Sequence, residues 1–351
     1  MNTEILKIVG DVTADSAGLR RAANIIKRGG LVVFPTETVY GLGADATNAE
    51  AADKIYSAKG RPADNPLIIH VARPEDAEPY AVLGDMYYRL AEAFMPGPLT
   101  VILTARDTVP SKTRGGLPTV AVRCPSSKIA RELISLSGVP IAAPSANLSG
   151  SPSPTSARHV IDDMMGRVDM IIDGGDADIG VESTIVRINP DDTLTLLRPG
   201  KITPSELSAL GAKVDISDAV LDKLPEGQVA ESPGMKYRHY APKAPVVLLD
   251  GDLEKIVKYI INDEKAGHNK AALCYTEDME ELSHRLPEVY LFDLGSRSDA
   301  LERAHRLFGS LREADKHSFD IIYAPLPEKC GVDLALYNRM IRAAAHKIIK
   351  L

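Results

Sequence analysis

Lys59-Gly60-Arg61-Pro62 places two cations two residues apart, and Pro144-Ser145-Ala146-Asn147 does the same for a hydroxyl and an amide. Pro62 disfavours the helical region for the residue before it, so Arg61 is expected to be extended, with Lys59 and Arg61 projecting to one side. A compact ammonium beside a planar fork of N–H donors is a receptor for a polyphosphate. A hydroxyl and an amide aimed together suit a phosphate or a ribose. The two pairs therefore read as halves of one anion site. Other polar residues fall at the ends of apolar runs: Thr36 after LVVF and Pro35, His70 in LIIH, Arg123 closing TVAVR, and Ser145 and Asn147 after VPIAAP. Ligands of open α/β sheets gather at strand ends, so one pocket could collect all of these.

Taken singly, each feature has a plainer explanation. Lys-Gly-Arg after a helix is ordinarily a solvated cap, and Ser-Ala-Asn before Ser149-Gly150 a turn or N-cap. Thr36 can bond its own loop, His70 can be a satisfied half-buried histidine, Arg123 a structural ion pair, and Ser183 with Thr184 strand formers. What favours a site is their occurrence as one ordered set.

The elements that would position them alternate strand and helix. Strands are expected at 31–34, 67–71, 99–103, 119–122, 139–142, 170–172 and 185–188, with helices from Ser16 to about Gly29 and near 50–58, 86–94, 127–136 and 156–165. The first of those helices carries Leu19, Ala22, Ala23 and Ile26 on one face and stops at Gly29-Gly30. This is an α/β domain over residues 1–210, closing at a short helix from Pro204. Periodicity fades over 211–245, a Pro-, Gly- and charge-rich linker expected to run over the surface. Residues 246–351 resume strand and helix at a spacing that predicts a smaller, Rossmann-like parallel sheet. It lacks GxGxxG after its first strand, so no dinucleotide site is read there.

Composition narrows the function classes. At 351 residues and 44% hydrophobic composition the chain can bury more than one core. A formal charge of -7 argues against a protein whose main task is to coat nucleic acid, so any anion must meet a local cationic pocket. Cys124, Cys274 and Cys330 are odd in number and lack a CxxC pair, so neither disulfides nor zinc are indicated, and buried thiols are expected. The N-terminus has no signal-like pattern and the apolar runs are short, which predicts a soluble cytoplasmic protein without membrane contact.

KGRP, DNPLIIHVA, TVAVRCP, IAAPSANLSGSPSPT, GVESTIV and LLRPG occur in that order, and this set resembles the YrdC-like domain of threonylcarbamoyl-AMP synthases over residues 10–205. SPGMKYRHYAPKAP is similar to the linker of the long form of that family, which ends in a Rossmann-like domain. The resemblance implies an α/β fold with a twisted YrdC-like catalytic domain, and an enzyme that joins L-threonine, bicarbonate and ATP into threonylcarbamoyl-AMP with release of pyrophosphate. It implies that Lys59, Arg61, Ser145 and Asn147 surround the ATP phosphates, with Asn65, Thr119, Ser153 and Arg198 completing the nucleotide site. Thr36, His70, Arg123, the backbone at Ala143 and Ser183 would surround L-threonine, and Tyr237 in the linker would fold across the mouth onto the nucleotide. Mg²⁺ is expected with the triphosphate, held by phosphates and water. The product would pass to a tRNA threonylcarbamoyl-transfer complex, with direct tRNA contact allowed but not required. A hydrogenase-maturation carbamoyltransferase would also carry an acylphosphatase unit and CxxC fingers, which this sequence lacks. Acidic composition and missing aromatic stacking motifs count against an RNA-binding factor.

Overall fold

Polar residues that cap helices set the boundaries near the candidate site. Asn48 accepts from the backbone N–H groups of Glu50 (2.9 Å) and Ala51 (3.2 Å) and opens the helix Ala49–Lys59. Gly60, at φ 62°, closes it in the left-handed conformation. Ser127 caps Lys128–Ser137 in the same way. The structure is a computed structural model that describes residues 2–8, 10, 16–223, 230–233, 239–263, 267 and 269–351.

A first, mixed sheet contains β1 (Glu4–Lys7), β2 (Val32–Phe34), β3 (Gly41–Asp45), β4 (Ile68–His70), β5 (Leu99–Thr104), β6 (Thr119–Arg123), β7 (Ile141–Ala142), β8 (Met170–Asp173), β9 (Thr184–Ile188), β10 (Leu194–Arg198) and β11 (Val214–Ile216). Their order is β1-β8-β2-β3-β7-β4-β6-β5-β9-β10-β11. A second sheet, wholly parallel, holds β12 (Val246–Asp250), β13 (Lys270–Cys274), β14 (Val289–Asp293), β15 (Ile321–Pro325) and β16 (Ile348–Lys350) in the order β14-β13-β15-β12-β16. Helices Ala300–Ala314 and Asp333–Ala343 pack on one face of it, Leu253–Asn262 and Met279–Arg285 on the other.

Strands β1, β3, β10, β11 and β16 exceed the sequence expectation. β3 reads GLGAD, with no β-branched residue to signal a strand, and pairing with β2 (Val33 opposite Leu42) overrides that weak propensity. β11 lies inside the segment expected to be linker and pairs with β10 in parallel, so the first sheet runs on to Ile216, followed by a helical turn at Asp218–Leu221. The surface-running linker also requires correction, because Ala230, Ser232, His239 and Tyr240 are buried. Tyr240 stacks on Phe308 with ring centroids 5.3 Å apart.

The two units share a packed boundary. Gly180 (φ 82°) admits the helix Ala300–Ala314 so closely that a Cβ would stand 2.4 Å from His305 Cα. Arg312 donates to Asp163 and to the Pro152 carbonyl, each at 2.6 Å, and Asn338 to the Val220 carbonyl at 2.7 Å. Cys124 and Cys274 are buried as expected, and burial pushes both thiols up to about 12, whereas Cys330 is exposed. Among the described residues no helix is long and apolar enough to cross a membrane.

Candidate active site

Lys59 is the last residue of its helix, Gly60 takes the left-handed turn, and the Arg61 N–H returns to the Tyr56 carbonyl at 2.9 Å. The two cations are thus brought together by a helix C-cap, not by the extended segment the sequence suggested. Nor is the cap solvated: Lys59 is 3% exposed and Arg61 7%. A Cβ at Gly60 meets nothing within 4 Å, so Gly60→Ala is expected to cost only the left-handed strain, about 1 kcal/mol. An unchanged urea midpoint would show the cap conformation is not required.

The loop after β7 lies directly on this cap. Lys59 Nζ donates to the carbonyls of Ser145 and Asn147, each at 2.5 Å, and lies 3.3 Å from Asn147 Oδ1. Ser145 Oγ donates to Asn147 Oδ1 at 2.5 Å, and Asn147 Nδ2 to the carbonyls of Leu148 and Ser151. The expected pairs therefore meet on one side of the domain. Arg61 Nη2 holds the Pro66 carbonyl at 3.1 Å, which fixes the turn bearing Asn65.

Arg61 and Ser145 line a cavity with Thr36, His70, Arg123, Ala143 and Arg198, closed by Pro233, His239 and Tyr240 of the linker. Thr36 Oγ1 donates to the Val39 carbonyl (2.5 Å), forming its own loop turn. Ala143 presents backbone, its N–H bonded to the Ile68 carbonyl. Arg198 donates through Nε to the Ser183 carbonyl and through Nη2 to Ser183 Oγ, both at 3.0 Å, and Ser183 Oγ also meets Thr100 Oγ1 at 2.8 Å. Ser153 Oγ donates to Glu182 Oε1 at 2.5 Å. Thr119 starts β6 opposite Thr104, four residues or about 13 Å of extended strand from Arg123, and does not line the cavity. Tyr237 lies outside the described residues.

Glu37, Glu182, His239 and Tyr240 were missed by the sequence reading. The signals were present, in the acid that follows Thr36 in PTETV, the acid that precedes Ser183 in GVESTIV, and the His-Tyr pair of YRHYAP. Glu37 Oε1 accepts from Arg123 Nη2 at 2.7 Å, with both side chains 5–6% exposed. Burial alone would raise the Glu37 pKa, but the Arg123 charge and hydrogen bond outweigh it and hold the carboxyl below its usual range.

The site is cationic. Among the described residues, Arg123 is matched by Glu37 and Glu182 by Arg339, while no carboxylate lies within ion-pair distance of Lys59, Arg61 or Arg198. Burial, then the neighbouring Arg61 charge, lowers the Lys59 pKa well below that of a free lysine. Burial likewise lowers Arg61 and Arg198 to about 10. Arg61 Nε, Asn65 Oδ1, Arg123 Nε and His239 Nδ1 are buried without a partner among the described residues. Unmet buried donors and uncompensated cations are costly in an isolated fold and are relieved by an anion.

His70 is neutral: burial and then Arg123 lower its pKa to about 3. Its Nδ1 faces the carbonyls of Ile68 (3.2 Å) and Ile141 (3.3 Å), so the proton resides there and Nε2 is an acceptor. His239 is held at about 3 as well, by burial and then Arg61. The sign is fixed. Between pH 6.5 and 3 the unfolded chain binds protons that the folded chain refuses, so stability falls as pH drops through that window. At pH 5 each histidine accounts for about 2 kcal/mol. Glu182, at about 2, contributes in the same sense but only below about pH 4.5, outside the pH 7 to 5 range. The loss of unfolding free energy from pH 7 to pH 5 should therefore shrink by about 2 kcal/mol in His70→Gln, and an unaltered loss would show that His70 titrates normally.

Comparison with known proteins identifies the family. A family model described as telomere recombination (Sua5, YciO and YrdC) matches residues 24–200, and one described as the threonylcarbamoyl-AMP synthase C-terminal domain matches residues 202–345. A threonylcarbamoyl-AMP synthase of Pyrococcus abyssi is 44% identical over 337 residues, covering 95% of this chain and 96% of that protein. That of Bacillus subtilis is 39% identical over 345 residues, covering 98% and 97%. The solved structure of P. abyssi Sua5 complexed with L-threonine matches with a TM-score of 0.88 at 41% identity over the whole of both chains. A doubly substituted variant of the same protein matches with a TM-score of 0.89, also at 41% identity, over 99% of this chain and 98% of that one. With a cationic, partly unsatisfied cavity at the centre and relatives of one name along both units, the chain belongs to the threonylcarbamoyl-AMP synthase family and is an enzyme.

Proposed function

We propose that the chain condenses L-threonine, bicarbonate and ATP to threonylcarbamoyl-AMP and pyrophosphate. The observation that carries this reading is the set of three buried cations, Lys59, Arg61 and Arg198, that lack carboxylate partners among the described residues and lie at or beside the cavity lined by Thr36, His70 and Arg123. In this reading the amine of threonine adds to bicarbonate with loss of water, one carbamate oxygen attacks the α-phosphorus, and pyrophosphate leaves. Every step brings anion toward anion, so positioning and fixed positive charge supply the catalysis and no protein nucleophile is required.

Lys59, Arg61, Ser145 and Asn147 take the phosphates in this proposal, with Asn65, Thr119, Ser153 and Arg198 along the rest of the nucleotide. Thr36, His70, Arg123, the Ala143 backbone and Ser183 take threonine, Arg123 through its carboxylate and His70 by accepting at Nε2. Pro233, His239 and Tyr240 of the linker, which line the cavity, would cover a carbamate that water would destroy. Mg²⁺ would arrive with the triphosphate. Among the described residues no group of three His, Cys, Asp or Glu could hold a metal, and Glu182 is committed to Arg339 and Ser153, so the donors suit an ion ligated by phosphate and water. Bound there, Mg²⁺ would neutralise charge on the triphosphate. The product would then pass to a tRNA threonylcarbamoyl-transfer complex in the cytoplasm.

The test is mass-spectrometric detection of threonylcarbamoyl-AMP with matched pyrophosphate. Product should appear only when ATP, threonine and bicarbonate are all present; pyrophosphate release independent of threonine would refute the reading.

A further inference from the structure

We infer that Arg339, in the second unit, is a positioning residue for the nucleotide site and acts through Glu182; this rests on the synthase reading above. Arg339 belongs to the helix Asp333–Ala343 and is 0% exposed. Desolvating a guanidinium costs several kcal/mol and is tolerated only where partners repay it. Its partners lie across the boundary: Nε donates to Glu182 Oε2 at 2.8 Å and Nη1 to the Pro199 carbonyl at 2.9 Å, with Asn338 Oδ1 of its own helix at 3.0 Å.

Those two cross-boundary contacts flank the site in sequence. Glu182 precedes Ser183, and Pro199 follows Arg198. Ser183 and Arg198 are themselves joined by two hydrogen bonds, and Glu182 Oε1 accepts from Ser153. One side chain of the second unit therefore clamps both ends of the Ser183–Arg198 pair and, through one carboxylate, Ser153. The guanidinium also lies 5.5 Å from the centroid of the Tyr240 ring, which ties the linker to the same point.

Charge decides why an arginine is needed. Glu182 is buried among cations, and Arg339 is its ion-pair partner. After Arg339, Arg198 is the next cation whose charge acts on Glu182, and it is the one proposed above to take the nucleotide. Arg339 thus keeps Arg198 available by satisfying its competitor, and the second unit contributes to the site without touching substrate.

The experiment is calorimetric titration of the full chain with ATP and Mg²⁺, without bicarbonate, and separately with L-threonine. Arg339→Ala and Arg339→Gln should weaken ATP binding about tenfold or more, which is 1.4 kcal/mol or more. Threonine affinity should fall clearly less, since Ser183 alone of the residues assigned to threonine lies in the clamp, and Arg339→Lys, which retains the cation but not the fork, should recover part of the ATP affinity. If Arg339→Ala does not fold, the Gln variant, which keeps a donor and most of the volume, gives the answer. Unchanged ATP affinity in folded Arg339→Gln, or equal losses for ATP and threonine, overturns the inference. Wild-type chain that binds ATP but forms no product with threonine and bicarbonate would remove the synthase reading instead, leaving the clamp supported by the ATP data.

Discussion

Arg61→Ala should reduce threonine- and bicarbonate-dependent pyrophosphate release by about 10²- to 10³-fold, the range seen when a preorganised donor to developing charge is removed. The size follows from burial. Arg61 is 7% exposed, has no carboxylate partner among the described residues, and carries an unpartnered Nε, so a phosphate there gains a nearly unscreened charge. Its structural duties are small by comparison: Nη2 holds the carbonyls of Asn65 (3.4 Å) and Pro66 (3.1 Å). The variant should therefore fold, with an urea midpoint close to the parent's. Arg61→Lys separates charge from shape. It keeps the cation and loses the planar fork, so turnover should lie between the two. Near-normal turnover in folded Arg61→Ala would remove the polyphosphate assignment.

Much of this site can be read from residue order, because strand ends are where a sheet presents polar groups. His70 ends β4, Arg123 ends β6, and the two are paired across those strands, an adjacency that apolar runs punctuated by polar residues predict. The cations at 59 and 61 are readable as a pair, yet their geometry is not. Pro62 suggests an extended segment, whereas helix propagation through Lys59 and a left-handed Gly60 produce the same convergence by a different backbone route. Burial was the least legible property. No local pattern distinguishes the solvated cap from one with Ser145 and Asn147 laid upon it, since that contact joins residues 86 and 88 positions apart.

The linker shows the same limit. PEGQVAESPGMKYRHYAPKAP has no amphipathic period, so a surface path is the natural expectation. Yet Tyr240 is 2% exposed, between Phe308 of the second unit and the cavity of the first. Its neighbours come from helices that local sequence cannot place relative to one another. Two halves of a core that meet only in three dimensions leave no periodic trace in the segment between them. The same reason hides Glu182 and Arg339, a buried ion pair separated by 157 positions.

The part of the cavity proposed to take threonine yields the second large effect. Arg123→Ala should abolish detectable threonine binding, weakening it by about 10² to 10³-fold, because the substrate carboxylate loses a fork of charged donors. It should also cost about 3–5 kcal/mol of stability, since Glu37 is left charged and alone at 6% exposure. Those losses have different origins and can be parted. Adding Glu37→Gln removes the stranded charge, so the Arg123→Ala, Glu37→Gln pair should regain most of the stability, a coupling of the kind a double-mutant cycle reads directly. Threonine binding should not return, because the recognising cation is still missing. Recovery of both together would mean that Arg123 serves only to neutralise Glu37, and the carboxylate of threonine would then have to be held elsewhere in the pocket.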